Sequence, residues 1–197
     1  IPGDEDIIIK VELAGVNHLD LVQAKGLYKV PDNVSSVMGL EVYGSVLTVG
    51  KKCLKGFKEG DKVIALVSGG GYAELCKAHE GSVLPAITSL DAAHNCALPE
   101  VCLTAYQMMA FVAKVRPNSS VLVHAAASSV SQVLIQMLVR RNVRVIGTTR
   151  TQSKVPTVMT VGAHAVVIPD VGENNSTIFA QKCIQANNND LFDVVFD

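Results

Sequence analysis

Val121-Leu122-Val123-His124-Ala125-Ala126-Ala127-Ser128-Ser129-Val130-Ser131, continued by Gln132 to Arg150, is the stretch that decides how this chain folds. Val121 to Ala127 is apolar and β-branched enough for a buried parallel strand. Ser128-Ser129 then offers a helix N-cap, and Val130, Val133, Leu134, Met137 and Leu138 recur at helical spacing on one face. Val143-Arg144-Val145-Ile146 follows as a second strand. Strand, tight turn, helix and strand in this order form a βαβ unit of the dinucleotide-binding kind. The glycines of the usual G-x-G-x-x-G turn serve the turn itself, close approach to a pyrophosphate and packing of helix on strand. Ala126, Ser129 and Ser131 stand in their places here. All three are small, so the architecture is retained, and the same unit is compatible with a βαβ protein that binds no nucleotide.

Outward from this unit the chain divides in the middle. Its first half is rich in short strands punctuated by glycine: Ile7 to Leu13, Val42 to Val49 with Gly44 interrupting and Gly50 ending it, Lys62 to Val67, and Tyr72 to Lys77 after the turn Ser68-Gly69-Gly70-Gly71. Such spacing, with little helix, predicts a small barrel. Helical sequence starts at Ser89, is broken at Leu98-Pro99 and resumes from Val101 to Val112. After the βαβ unit come a helix over Ser153 to Val161, a strand over Ala165 to Ile168, a helix over Thr177 to Asn187 and a strand over Phe192 to Asp197. A parallel sheet stopping on that strand lacks an edge partner and a covering crossover, which predicts a piece of a longer protein.

Composition excludes several classes. With 49% hydrophobic residues, 18% charged residues and a net charge of -1, the chain is an ordinary globular sequence rather than a disordered or strongly basic one. Its cations are scattered, which argues against nucleic acid as the main partner. No apolar run approaches the roughly 20 residues of a membrane span, and the N-terminus, which lacks Met, is not a signal peptide. The 5 cysteines are odd in number and contain no C-x-x-C pair, so reduced, buried thiols are expected rather than a disulfide framework or a zinc ribbon. Sequons such as Asn33-Val34-Ser35 and Asn118-Ser119-Ser120 are chance matches in that setting.

Gly39-Leu40-Glu41-Val42-Tyr43-Gly44-Ser45-Val46, Phe57-Lys58-Glu59-Gly60-Asp61-Lys62-Val63 and Gly70-Gly71-Tyr72-Ala73-Glu74 together resemble the barrel domain of the medium-chain dehydrogenase/reductases, and the resemblance runs through nearly the whole chain in order. Within that superfamily the sequence is most similar to the zinc-independent quinone oxidoreductases, the group of zeta-crystallin and of the tumour-suppressor-inducible quinone oxidoreductase. Val16-Asn17-His18-Leu19-Asp20-Leu21, Gly26-Leu27-Tyr28 and Leu98-Pro99-Glu100-Val101-Cys102-Leu103-Thr104-Ala105-Tyr106-Gln107 carry the closer match. The resemblance implies an α/β protein in two parts: a GroES-like β-barrel domain over 1–98 and a truncated Rossmann domain, a doubly wound parallel sheet, over 99–197. It also implies a cytoplasmic homodimer that acts on a small-molecule quinone or enone, with neither nucleic acid nor membrane as partner.

Zinc-dependent members of the superfamily place Cys where Asn17 stands and His where Leu40 stands. A leucine has no lone pair and an amide is a poor ligand beside thiolate or imidazole, so no metal is expected. His18 remains as a lone histidine, and His79, His94, His124 and His164 have no paired spacing. Reduction without a metal needs a bound nicotinamide and donors aimed at the oxygen that gains charge. The resemblance assigns this to Asn17, Tyr28 and Thr104, whereas read by type alone Asn17 and Asp20 cap a helix and Tyr28 is a half-buried barrel aromatic. Cofactor contacts fall to the turn residues Ala126, Ser128, Ser129, Val130 and Ser131 and to Gly147, Arg150, Ser153 and Lys154. The run Gly147-Thr148-Thr149-Arg150 has no carboxylate where an NAD site wants one, which favours NADPH. Pro169, where relatives carry Tyr, is a departure on the cofactor side. Two functions follow: an NADPH-dependent, zinc-independent reductase of quinones or related conjugated carbonyls, or a protein of the same fold that has lost dinucleotide binding and serves as an interaction or structural protein.

Overall fold

Alternation of buried and outward positions along the first strands creates an apolar face, and that face organises the first half of the chain. The structure, a computed structural model, describes residues 2–32, 34–169 and 176–197, so Asn33 of the first sequon lies outside it. The chain forms two units, Ile1–Glu100 and Val101–Asp197.

In the first unit β1 (Asp6–Ala14), β2 (Glu41–Val49), β3 (Lys62–Leu66), β4 (Leu75–His79) and β5 (Val83–Pro85) form one antiparallel sheet in the order β4-β1-β2-β3-β5. The helix α1 (His18–Ala24) follows β1, and α2 (Ala92–Cys96) ends the unit. Ile7, Ile9, Val42, Val46, Val63, Ala65, Cys76, Ala78 and Val83 form the core on the inner face. Register shifts between Ile8 and Ile9 and between Val11 and Leu13 bend β1 against β2, which curls the sheet. Gly44, expected to interrupt β2, lies inside the strand instead, paired with Val11 and Val63. A Cβ there would strike the Lys10 carbonyl, so glycine is what lets the two strands close. The strand expected from Tyr72 starts only at Leu75, because the Tyr72 and Gly71 N–H groups donate to Met38 and Gly39 in the preceding loop.

The helix α3 (Pro99–Tyr106) continues as a wider π-helical turn over Gln107–Val112. Pro99 therefore opens this helix rather than only ending the previous one, as its fixed φ and missing N–H favour. In the second unit β6 (Ser120–Val123), β7 (Arg144–Thr148), β8 (Ala165–Val167) and β9 (Val194–Phe196) form a parallel sheet in the order β8-β7-β6-β9. The helices α4 (Ser129–Val139), α5 (Val155–Thr160) and α6 (Ser176–Ala186) connect them. Successive strand residues face opposite sides, so Val121 and Val123 join Leu134, Ile135 and Leu138 in one core while Leu122 and Ile146 join Val167 and Cys183 in another. The strand expected to reach Ala127 ends at Val123, and His124 to Ala127 form a turn held by the Ala126 N–H on the Thr148 carbonyl at 2.9 Å. This is a GroES-like curled sheet followed by a partial Rossmann sheet. With β6 in the interior and β9 on its other side, the chain reverses direction of travel across the sheet there, which places a binding crevice at the carboxyl ends of the strands.

Candidate functional site

At those carboxyl ends lies a pocket of about 540 Å³ lined by residues at or just beyond the end of each of the four strands, among them His124, Thr148, Thr149, Pro169 and Asp197. Ser128, Arg150, Lys154 and Phe179 complete it. Ser128 is the N-cap of α4, its Oγ accepting from the Ser131 N–H at 3.3 Å. The first N–H groups of that helix, on Ser129 and Val130, have no carbonyl within the helix to reach and make its end attractive to an anion. Ser131 is turned back into the turn: its Oγ accepts from the Ser128 hydroxyl at 2.9 Å and donates to the His124 carbonyl at 3.4 Å. Ala125 holds φ at 45°, the left-handed conformation that favours glycine. Ala126 is fully buried beneath the turn, and a Cβ on the equally buried Gly147 would come within 2.8 Å of both Ala126 Cβ and Val158 Cγ1. Ala126 and Gly147 thus let the layers close rather than line the pocket.

The charged edge of the pocket follows β7. Arg150, Ser153 and Lys154 are all exposed, Ser153 and Lys154 in a short 3-10 turn over Gln152–Lys154. Ser153 Oγ donates to Thr151 Oγ1 at 3.4 Å. Among the described residues neither Arg150 nor Lys154 is in an ion pair. His124 Nδ1 lies 2.9 Å from Thr148 Oγ1, and its ring is tilted against Phe179 at 6.2 Å and 31°. A helix end, two cations and a flat ring around one cavity suit a phosphorylated nucleotide, so the residues present fit a dinucleotide.

The first unit builds a second polar group from buried carboxyls. Asn17 precedes α1, its N–H donating to Asp20 Oδ2 at 2.8 Å, and its side-chain Nδ2 donates to Glu41 Oε1 at 2.8 Å. The other Glu41 oxygen accepts from the Glu100 N–H at 2.9 Å. Asp20 and Glu41 are 1% and 2% exposed, and Asp20 Oδ1 has no hydrogen-bond partner among the described residues. Burial pushes the Glu41 carboxyl up against the pull of its two N–H donors, and burial with the neighbouring Glu41 and Asp20 charges does the same to Glu100. Tyr72, whose hydroxyl donates to the Gly15 carbonyl at 3.2 Å, is pushed up to about 12 by burial and then by the Asp20 carboxylate. Leu40 is buried without a donor atom, and among the described residues no His, Cys, Asp and Glu side chains group as a metal site. Cys76, Cys96 and Cys183 are buried, and burial raises each thiol, that of Cys76 to about 11.

The structure brings Ser128, Arg150 and Lys154 to one pocket, with Ser129, Val130 and Ser131 in the first turn of the helix beside it. Asn17 joins Asp20 and Glu41, while Tyr28 is exposed in the loop after α1 and Thr104 is half-buried on α3 in the second unit. A larger hollow of about 750 Å³ on the first unit, lined by Asp6, Val37, Gly70, Lys77 and His79 among others, contains none of the expected residues, and its Lys77 and Asp6 pair with one another at 3.7 Å. Sequence reasoning missed Thr148, Thr149, Phe179 and the carboxyl of Glu41, and weighed His124 only as a metal ligand. Polar residues at the end of each parallel strand would have pointed to the threonines; nothing local marks Phe179.

Residues 3–111 match the alcohol dehydrogenase GroES-like domain family. The chain is 35% identical over 153 residues to a probable quinone oxidoreductase of Schizosaccharomyces pombe, covering 78% of this chain and 46% of that protein. It is 38% identical over 136 residues to the highly reducing polyketide synthase curS1 of Aspergillus terreus, covering 68% of this chain and 5% of that protein. A mycobacterial protein solved in complex with NADPH superposes with a TM-score of 0.88 at 28% identity, over 100% of this chain and 60% of the other. The chain spans about half the length of the quinone oxidoreductases it matches. No helix among the described residues is long and apolar enough to cross a membrane.

Proposed function

Because the chain belongs to the medium-chain dehydrogenase/reductase superfamily through its alcohol dehydrogenase GroES-like domain, we propose that the protein carrying it is an NADPH-dependent, zinc-independent reductase of quinones or related conjugated carbonyls. The observation that carries this reading is the pocket edge after β7, where Thr148 and Thr149 line the cavity and the exposed cations of Arg150 and Lys154 stand beside them. A carboxylate at that edge would bind ribose hydroxyls and repel a 2′-phosphate; cations do the reverse. The cofactor supplies the hydride. The N–H groups of Ser129 and Val130 would hold a pyrophosphate at the helix end, and Ser128 lines the pocket beside them. Asn17 would donate an amide N–H to the acceptor oxygen as it gains charge, Tyr28 would serve as a second donor or stacking surface, and Thr104 would help to hold the nicotinamide. The donor set at Asn17 and Leu40 supports a site that works without zinc.

The test is a titration with NADPH and NADH. Lys154→Ala should weaken NADPH by about 10-fold or more, the worth of one charge-assisted hydrogen bond, and leave NADH nearly unchanged. Equal loss for both cofactors refutes the NADPH assignment. Ala125 at φ 45° and the Ser131 hydroxyl filling the turn favour a second reading, the same fold with weakened dinucleotide binding and an interaction role. Failure of both cofactors to bind at millimolar concentration would decide for it.

A further inference from the structure

We infer that Glu41 is a positioning residue that sets which face of the Asn17 amide is offered to an acceptor. The inference rests on the reading of Asn17 as the donor to the acceptor oxygen. An asparagine side chain presents either a carbonyl or an NH2 to its neighbour, and which one depends on the neighbour's chemistry. Glu41 Oε1 lies 2.8 Å from Asn17 Nδ2 and Oε2 lies 2.9 Å from the Glu100 N–H, so both oxygens are engaged by donors. A carboxylate only accepts, which turns the amide nitrogen towards Glu41 and leaves its second N–H for an acceptor.

The surroundings are built for this carboxylate. Glu41 is 2% exposed, and among the described residues it has no cationic partner. The charged and titratable groups around it are Asp20 of α1, Glu100 at the start of α3, Tyr72 in the loop before β4 and Cys96 of α2. A Cβ on Gly15 would collide with the Glu41 carboxyl, so the backbone leaves room for it. A buried carboxylate facing two further acids is costly to hold, and an apolar side chain would serve folding better. Its two N–H contacts are what it contributes.

Glutamine carries an acceptor oxygen on only one side of its amide, so with that oxygen on the Glu100 N–H its NH2 faces Asn17, and Glu41→Gln should turn the Asn17 amide over or release it. In the full-length protein assayed with NADPH and 1,4-benzoquinone, Glu41→Gln and Asn17→Ala should each lower kcat about 10-fold or more with the KM for NADPH unchanged, a loss of one hydrogen bond made to a developing charge. Added to Asn17→Ala, Glu41→Gln should change kcat by less than about twofold, because its effect passes through the amide it orients. Glu41→Asp, which keeps the charge but withdraws it by one methylene, should show the same loss and guards against a folding defect of the neutral variant. Independently of activity, the side-chain amide proton of Asn17 should be protected from exchange in 15N-labelled wild type and lose that protection in Glu41→Gln. Full additivity of the two substitutions, or Asn17 amide signals unchanged in Glu41→Gln, overturns the inference. Asn17→Ala as active as wild type refutes the donor role of Asn17 instead, and the exchange measurement still decides whether Glu41 orients the amide.

Discussion

Replacing Ala125 with glycine should stabilise the protein, against the usual direction of such a change. Ala125 has φ at 45° and an exposed side chain, so its methyl group contributes strain and little packing. An L-residue in the left-handed region costs about 1–2 kcal/mol relative to glycine. Glycine in turn gives the unfolded chain more freedom, which takes back about 0.4–1 kcal/mol. The net gain at mid-range is about 0.8 kcal/mol, or about 2–3 °C in the unfolding midpoint for a chain of this size. With no tryptophan and 4 tyrosines, far-ultraviolet circular dichroism during urea and thermal unfolding is the suitable probe. Ala127→Gly is the control: Ala127 is half-buried against the main core of the second unit and does not have a positive φ. It should lose stability. If Ala125→Gly lowers the midpoint as much as Ala127→Gly, the account of the turn as a strained substitute for a glycine turn is refuted.

Gly147→Ala should destabilise by about 1–3 kcal/mol through overpacking, since its Cβ would lie 2.8 Å from Ala126 Cβ and Val158 Cγ1; an unchanged urea midpoint would contradict it. Spectrophotometric titration at alkaline pH should show one phenol ionising at about 12, and Tyr72→Phe should remove that late step. The Tyr72 pKa is raised above its ordinary 10.0, so whatever stability this phenol contributes is whole below pH 10.0 and is lost as pH rises through about 12. Glu100 is likewise raised above its ordinary 4.5, so its contribution is whole below that pH and lost as pH rises through the folded value. Glu100→Gln should therefore gain on wild type with rising pH in urea unfolding, and a pH-independent difference would count against it.

What the amino-acid sequence determined by itself was whatever depends on neighbours along the chain. Helical spacing of Val130, Leu134 and Leu138 with Ser128 as cap marked α4, and the apolar run from Val121 marked the existence of β6 though not its end, because periodicity and capping act within a few residues. The chemistry of Leu40 and Asn17 was equally plain, since side-chain type alone decides whether a lone pair is available. Tertiary structure decided the rest. Ala125-Ala126-Ala127 is compatible with strand, helix or turn, and only the Ala126 N–H on the Thr148 carbonyl takes the chain out of the sheet and leaves Ala125 left-handed. The ring pair of His124 and Phe179 comes from segments joined by neither period nor motif, and depends on where the crossovers set α6. Glu41 reads as a polar residue opening a strand; its pairing with Leu66 of β3 and the Gly15 N–H on its carbonyl set it beside Asn17, and burial turns an ordinary carboxylate into one that must find N–H donors.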